Sequence, residues 1–335
     1  MIGPAKAEPW RSDAGAALVT VLVMLAVIAV LATALVEAAR FSLARLDNQR
    51  SMDQARWYLL GAERLAADRA GSLIASFGAA SSGNAWEGQV VTYPIEGGAI
   101  SLAVWDGSNC FNLNGLVMGG GDAGLVANPM AQVELARLIG FTGATGLNSE
   151  GLAAALADYL DEDQTPLPGG AEDAPGSFEG GYRTANTLIG DVSELRRVRG
   201  FTPEIVAAVA PFTCVRPVAG FTTINVNTLR LQDAPLLAAM FGDGLSLSAA
   251  QSVIAARPAT GWSDVEGFFA HPSFASLEIS DAFKARFAVR PRFVVMTARV
   301  RWDGVEEASA ALIEIGPPSR IVRRVIGAQA SERSV

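Results

Sequence analysis

Polar and apolar positions divide the chain into a long helical pattern, two short alternating runs, a helical middle and a final pair of alternating runs. Residues 14–36 carry no charge between Asp13 and Glu37. At roughly 1.5 Å of rise per residue, a helix of that length crosses a hydrocarbon core of about 30 Å. Beyond it, Met52, Ala55, Leu59, Ala62 and Ala66 recur at spacings of three and four, which is one face of a helix. No proline lies between Pro9 and Pro94. The pattern therefore predicts one helix over 16–76, on the order of 90 Å long, half membrane span and half soluble stem.

Period-two alternation follows in QVVTY (89–93) and AISLAVW (99–105), bounded by residues 94–98 and by Asp106-Gly107. These predict two antiparallel strands packed on the stem. The same signal returns only near the end, where FVVMTARVRW (293–302), the turn Asp303-Gly304 and EEASAALIEIG (306–316) predict a hairpin. RIVRRVIG (320–327) adds a last strand. A sheet split in this way makes residues 112–289 an insertion.

The insertion reads as short, capped helices. One set covers 129–139, 150–160 and 193–198, then Thr202-Pro203, an N-cap with proline at the first helical position. A second set covers 234–241, 249–257, 264–269 and 281–287. CFNLNGL (110–116) and TINVNTL (223–229) open the two sets alike, each with an Asn-x-Asn between apolar residues. Asparagine side chains that bond nearby backbone suit such turns.

Length and charge narrow the function. A chain of 335 residues has room for two or three domains besides the stem. A net charge of −8 excludes a broad phosphate-binding surface, which needs clustered Lys and Arg. The charges flanking the span do not fix its orientation, because Lys6 and Arg11 are matched by Glu8 and Asp13 while Arg40 and Arg45 follow it. A secretory signal peptide has a shorter apolar region ending in a cleavage site before a turn, whereas helix continues here. Two readings remain, an uncleaved single-pass anchor and a type IV pilin-like leader cut after glycine. Gly15 followed by Ala16 and AALVT fits the second and places the bulk of the chain in the periplasm. The two cysteines, Cys110 and Cys214, then stand in an oxidising compartment at the edges of the first helical set. They predict a disulfide closing a loop of about 100 residues.

Candidate chemistry is concentrated in one acidic loop. Asp158, Asp161, Glu162, Asp163, Glu172 and Asp173 crowd a segment that also holds Pro166, Pro168 and Gly169-Gly170. Hard oxygen ligands at alternate positions suit calcium. The spacing departs from an EF-hand, lacking the glycine at the sixth position and misplacing the last glutamate, and a solvated, self-repelling loop is the competing reading. An anchored hydrolase would have to use His271, the sole histidine, which sits in AHPSF where a loop or core role is expected. Carboxylate pairs such as Asp161 and Asp163 are its other conceivable acid–base groups.

Taken together, the leader and anchor, DQARWYLLGAE (53–63), CFNLNGL, DYLDEDQTPLPGGAED (158–173), VSELRRVRGFTPEIVAAVAPF (192–212) and TINVNT resemble the type II secretion system minor pseudopilin K family over nearly the whole chain. The resemblance implies an α+β fold. A pilin-like long N-terminal transmembrane helix and a small antiparallel sheet would carry a large inserted all-α domain of two sterile-alpha-motif-like (SAM-like) units. The boundaries are leader 1–15, span 16–36, stem and first strands 37–110, first unit 111–222, second unit 223–289 and closing strands 290–335. The family is not enzymatic. Its partners are minor pseudopilins I and J, the major pseudopilin, the prepilin peptidase and the inner-membrane secretion platform. The resemblance further implies cleavage between Gly15 and Ala16, methylation of the new amino terminus, and calcium held by Asp158, Asp161, Asp163, Glu172 and Asp173, with Asp161, Asp163 and Asp173 the first choices. Thr20 stands at the fifth mature position, where pilin-like subunits carry glutamate. The segment 223–269 also resembles the helix-hairpin-helix of competence-type DNA-binding proteins. Its hairpin FGDGLSLS (241–248), however, has Asp243 and no basic cluster.

Overall fold

In the computed structural model, which describes residues 13–80, 86–143, 148–172, 183–327 and 330–331, span and stem form one helix, α1 (Asp13–Ala80). Residues 1–12 of the predicted leader lie outside this description. No residue of the apolar window is buried within the chain. The Thr20 hydroxyl donates to Ala17 O at 2.8 Å, so its hydrogen-bonding capacity is met by its own helix.

The stem buries a stripe slightly rotated from the predicted one. Ser51, Ala55, Leu59, Glu63 and Ala67 are buried, whereas Met52 is exposed. Two polar residues enter the stripe because the sheet supplies partners. Ser51 Oγ donates to Asp303 Oδ2 at 3.1 Å, and the Glu63 carboxylate, fully buried, pairs with Arg324.

After the stem come β1 (Val91–Ile95) and β2 (Gly98–Asp106), joined by a tight turn with Gly97 at φ 79°. Next stand the two-residue strand β3 (Phe111–Asn112) and a hairpin the alternation did not predict, β4 (Val117–Gly119) with β5 (Leu125–Ala127). Helices α2 (Pro129–Phe141), α3 (Ser149–Leu160) and α4 (Pro203–Val209) follow, the last capped by Thr202 with Pro203 behind it as predicted. The helix expected over 193–198 is a 3₁₀ turn, Val192–Arg197. An Asp191/Glu194 capping box starts it, and extended Val198 stops it after six residues. Strand β6 (Thr213–Cys214) ends the first unit. The second consists of β7 (Ile224–Asn225), α5 (Ala234–Phe241), α6 (Leu247–Ala255), α7 (Val265–Phe269), α8 (Asp281–Lys284) and β8 (Phe287–Ala288). The helix expected over 281–287 is thus cut short, because Phe287 and Ala288 pair in parallel with Ile224 and Asn225. Finally β9 (Phe293–Trp302), β10 (Val305–Glu314) and β11 (Arg320–Ile326) complete an antiparallel sheet of order β1-β2-β9-β10-β11. Asp303 and Gly304 both take positive φ in the β9–β10 turn, the conformation that favours an Asp-Gly pair there.

One sheet face, Val294, Met296, Ala298, Val300 and Ile313, covers Ala55, Leu59 and Ala67 of the stem. The stem is therefore gripped chiefly by the late strands β9 and β10 rather than by the early pair. β2 adds Ile100, Leu102 and Val104, while β1 is an edge strand. The root of the insertion is tied at its two ends: Gly107 N donates to Phe293 O at 2.9 Å, and Ser108 Oγ accepts from the amides of Arg292 and Phe293 at 3.1 and 3.2 Å.

The two helical units share a construction that explains the repeated Asn-x-Asn. Parallel bridges β3–β6 and β7–β8 close each unit on its own start. Asn114 donates to Ile189 O and accepts from Ile189 N, both at 3.0 Å. Asn227 does the same to Trp262, donating to its carbonyl at 3.0 Å and accepting from its amide at 2.8 Å. Each amide also ties down the unit's exit strand, through Arg216 O and Val289 O respectively. The likeness of the two motifs is structural and not a coincidence of composition. The units nevertheless do not have separate interiors, since one hydrophobic cluster runs from Phe111 to Phe287.

Candidate metal centre

Helix α3 ends against the acidic loop, and its last turns deliver the site. Asp158 sits inside the helix and Asp161 is its C-cap, with Asp161 N donating to Ala157 O. The loop then folds back. Gly170 N donates to Leu167 O at 2.8 Å, and Asp158 accepts from Leu167 N at 3.2 Å and from Ala171 N at 2.6 Å. Gly170 has to be glycine, because a Cβ there would lie 1.9 Å from Asp158 Oδ2. This return brings Glu172 back over the helix end. Carboxylate oxygens of Asp158, Asp161 and Glu172 lie within 4.8 Å of one another, and all three residues are buried.

Three buried carboxylates carry a cost unless protons or a cation neutralise them. Burial, then the negative charges of Asp163, Asp158 and Glu172, push the Asp161 carboxyl up to about 7. Burial also raises Asp158 against the two amide hydrogen bonds it accepts. Asp161 Oδ1 is buried with no hydrogen-bond partner. Calcium coordinates oxygens at roughly 2.3–2.6 Å, so ligands on opposite sides of one ion stand up to about 5 Å apart. The trio fits that span, and an all-oxygen donor set is what the ion takes.

Among the predicted ligands, Asp163 does not join the converging trio. Asp163 is exposed, and its carboxylate is engaged locally, accepting from Thr165 N at 2.7 Å in an Asx turn. Its negative charge helps to raise the Asp161 carboxyl. Asp173 lies outside the described residues. Glu162, exposed, anchors the loop to the β4–β5 hairpin through its amide, which donates to Leu125 O at 3.0 Å.

The other predicted features lie elsewhere in the chain. A disulfide joins Cys110 and Cys214 with their Cα atoms 5.7 Å apart. His271 Nδ1 accepts from Ser273 N at 3.2 Å and caps a 3₁₀ turn, a structural role. The hairpin glycine that would face a phosphate in a DNA-binding module, Gly242, is covered by the chain's own Arg137, whose Nη1 stands 2.2 Å from where a Cβ would be. Gly15 and Ala16 are exposed residues of α1.

Two polar arrangements were not foreseen. Asp106, at the end of β2, accepts from Ser108 N, Asn225 Nδ2 and Thr228 Oγ1 at 2.7, 2.6 and 2.6 Å, locking the sheet to the second unit. Glu134 of α2 holds Arg286 by a two-pronged pair at 2.6 and 2.7 Å, across the two units. The Asn225-Val226-Asn227-Thr228 run was the visible half of the first arrangement. Nothing local marks the second.

Two family models, both described as Type II secretion system (T2SS), protein K, match residues 109–218 and 224–290. The type II secretion system protein K of Klebsiella pneumoniae is 34% identical over 325 residues, covering 93% of this chain and 96% of the relative. That of Pectobacterium carotovorum is 33% identical, covering 75% and 77%, and that of Pseudomonas aeruginosa 32%, covering 93% and 91%. Among solved structures, a chain of the GspK-GspI-GspJ complex of the enterotoxigenic Escherichia coli type 2 secretion system is similar, with a TM-score of 0.68 and 26% identity. The match covers 85% of this chain and 100% of that one.

Proposed function

We propose a place at the tip of the secretion pseudopilus for this chain, which belongs to the type II secretion system protein K family and is a minor pseudopilin, a structural component of that system and not an enzyme. Residues 1–15 are a leader removed by the prepilin peptidase between Gly15 and Ala16, and the new amino terminus is methylated. The apolar part of α1 holds the subunit in the inner membrane with the bulk of the chain in the periplasm. From there the secretion platform draws it into a filament headed by this subunit with minor pseudopilins I and J, the major pseudopilin forming the shaft below. The likeness to a chain of the GspK-GspI-GspJ complex supports the first two partners. The two Asn-x-Asn units are SAM-like, and calcium occupies the site of Asp158, Asp161 and Glu172, supported by their convergence and by the unpartnered oxygen of Asp161.

The observation that carries tip placement is where the insertion leaves the sheet. It projects from between β2 and β9, adjacent strands near the middle of the sheet, and is too bulky to repeat at every step of a tightly wound shaft. Thr20 adds a second reason. Its hydroxyl is satisfied within its own helix and offers no counter-charge to a neighbour's amino terminus. Crosslinks and immunogold label confined to filament ends and to I and J are expected. Label spread along the shaft overturns the placement.

A further inference from the structure

The disulfide is asymmetric in its surroundings. Cys214 is 6% exposed and sits inside the β3–β6 bridge, whereas Cys110 retains partial exposure at the root of the insertion. The Cys110 sulfur is in direct contact with a cation: Arg216 Nη2 lies 3.5 Å from Cys110 Sγ. That guanidinium is deeply buried, with Arg216 2% exposed. It donates to the carbonyls of Gly107 and Val215 and rests over the Phe293 ring at 5.3 Å from the centroid, while its Nε has no partner. The other charges that act on it are Asp106 and Arg323, of opposite sign. While the disulfide is closed, the arginine faces a neutral sulfur. In the dithiol form, a Cys110 thiolate would be its nearest anion.

We propose that Cys110 is the reactive cysteine of the pair, the one through which the bond is made and exchanged, and that Arg216 is the positioning residue that gives it this role. A buried cation beside a sulfur favours thiolate over thiol, and the thiolate is the nucleophile. In the forming direction the Cys110 thiolate attacks one sulfur of an oxidant disulfide, such as glutathione disulfide or a thiol oxidase. A mixed disulfide forms and the oxidant's other sulfur leaves as thiolate. Cys214 then loses its proton to solvent and attacks Cys110 Sγ, closing the bond and expelling the second thiolate. Two electrons pass from the cysteine pair to the oxidant. In the reverse direction a reductant thiolate attacks Cys110 Sγ and Cys214 leaves; a second reductant thiolate then releases Cys110, whose thiolate the cation stabilises, which makes this disulfide more reducible than one lacking such a cation.

The test uses the full chain in detergent as two single-cysteine variants, Cys214→Ser and Cys110→Ser, with iodoacetamide alkylation rates measured across pH. For the variant retaining Cys110, the expected inflection lies at least about one pH unit below the roughly 8.5 of an ordinary thiol, meaning about tenfold more thiolate at neutral pH. The variant retaining Cys214 should show an inflection at or above that value and a slower rate. Adding Arg216→Met to the Cys110 variant should move its inflection back up, while Arg216→Lys should hold it. Glutathione disulfide should trap a mixed disulfide on Cys110 far faster than on Cys214. An ordinary inflection at Cys110, or faster reaction at Cys214, overturns the proposal. That comparison needs no arginine variant, so it stands even where Arg216→Met does not fold.

Discussion

The two helical units hang the same backbone on the same asparagines, yet they are held together by different means. In the second unit Phe241, Phe268, Phe269, Phe274, Phe283 and Phe287 form a continuous aromatic cluster with ring centroids 4.9–6.3 Å apart. In the first unit the position matching Phe268, six residues after the asparagine-bound Ile189, is Leu195, and both side chains are fully buried. Where the second unit has Thr223 just before its first bridge strand and Ala288 in its last, the first has Cys110 and Cys214. Where residues 256–264 join α6 to α7 in the second unit, the acidic loop that follows α3 in the first turns back at Gly170. One motif is therefore closed by apolar packing and the other by a covalent link and a charge cluster. The covalent link depends on redox state and the charge cluster on how its carboxylates are neutralised, whereas apolar packing depends on neither.

The largest effect should come from the aromatic side. Phe268→Ala removes the centre of the cluster and should cost about 3–5 kcal/mol, against roughly 2–4 for Leu195→Ala. Because one core spans both units, each variant should melt in a single shifted transition, measured by calorimetry of the chain beyond its apolar span. Two separated transitions would mean that the units are independent after all. Next comes the link. Cys110→Ser with Cys214→Ser should cost about 2–4 kcal/mol, and reductant should lower the melting temperature of the parent but not of this variant.

The cation effect is smaller and confined to the first unit. Calcium at about a hundredfold over its dissociation constant should add roughly 2.7 kcal/mol, which a chelator removes. Asp161→Asn with Glu172→Gln should abolish this sensitivity, whereas Asp163→Ala should leave most of it. An unchanged melting temperature under chelation would reduce the loop to solvated charge. The smallest effect belongs to neither unit and serves as the reference. Burial raises the Glu87 carboxyl to about 7, with Asp106 N donating to its Oε1 at 3.0 Å. A raised folded value means that the contribution is complete below about pH 4.5 and is lost as pH climbs toward 7. Glu87→Gln should flatten that part of the melting profile, with or without calcium.

What the sequence disclosed follows the range of the interactions involved. β9 and α5 were readable to the residue and β10 to within two, because alternation, an Asp-Gly turn and a proline in the first turn of α5 specify them within ten positions. The disulfide and the two units followed from Cys110, Cys214 and the doubled asparagines. The burial of Glu63 could not be read, since its partner Arg324 is 261 positions away. The β4–β5 hairpin was hidden because strands of three residues leave too little alternation, and the single core because periodicity reports which face is apolar, not what covers it. In the acidic loop composition announced the site, but Asp163 could not be separated from Asp161 without the chain reversal at Gly170.

The tied root of the insertion bears on the order of folding. Thr297 reaches Ala103 across the β2–β9 pair from 194 positions away, and closing so long a loop would by itself slow the sheet's assembly. The helical domain shortens that search. Once its parallel bridges have closed, its first and last residues emerge side by side, and Gly107, Ser108 and Phe293 meet as the ends of a turn would. The sheet then zips as though a hairpin loop joined β2 to β9. On this route the insertion matures first, and the stem keeps its stripe uncovered until β9 and β10 have formed.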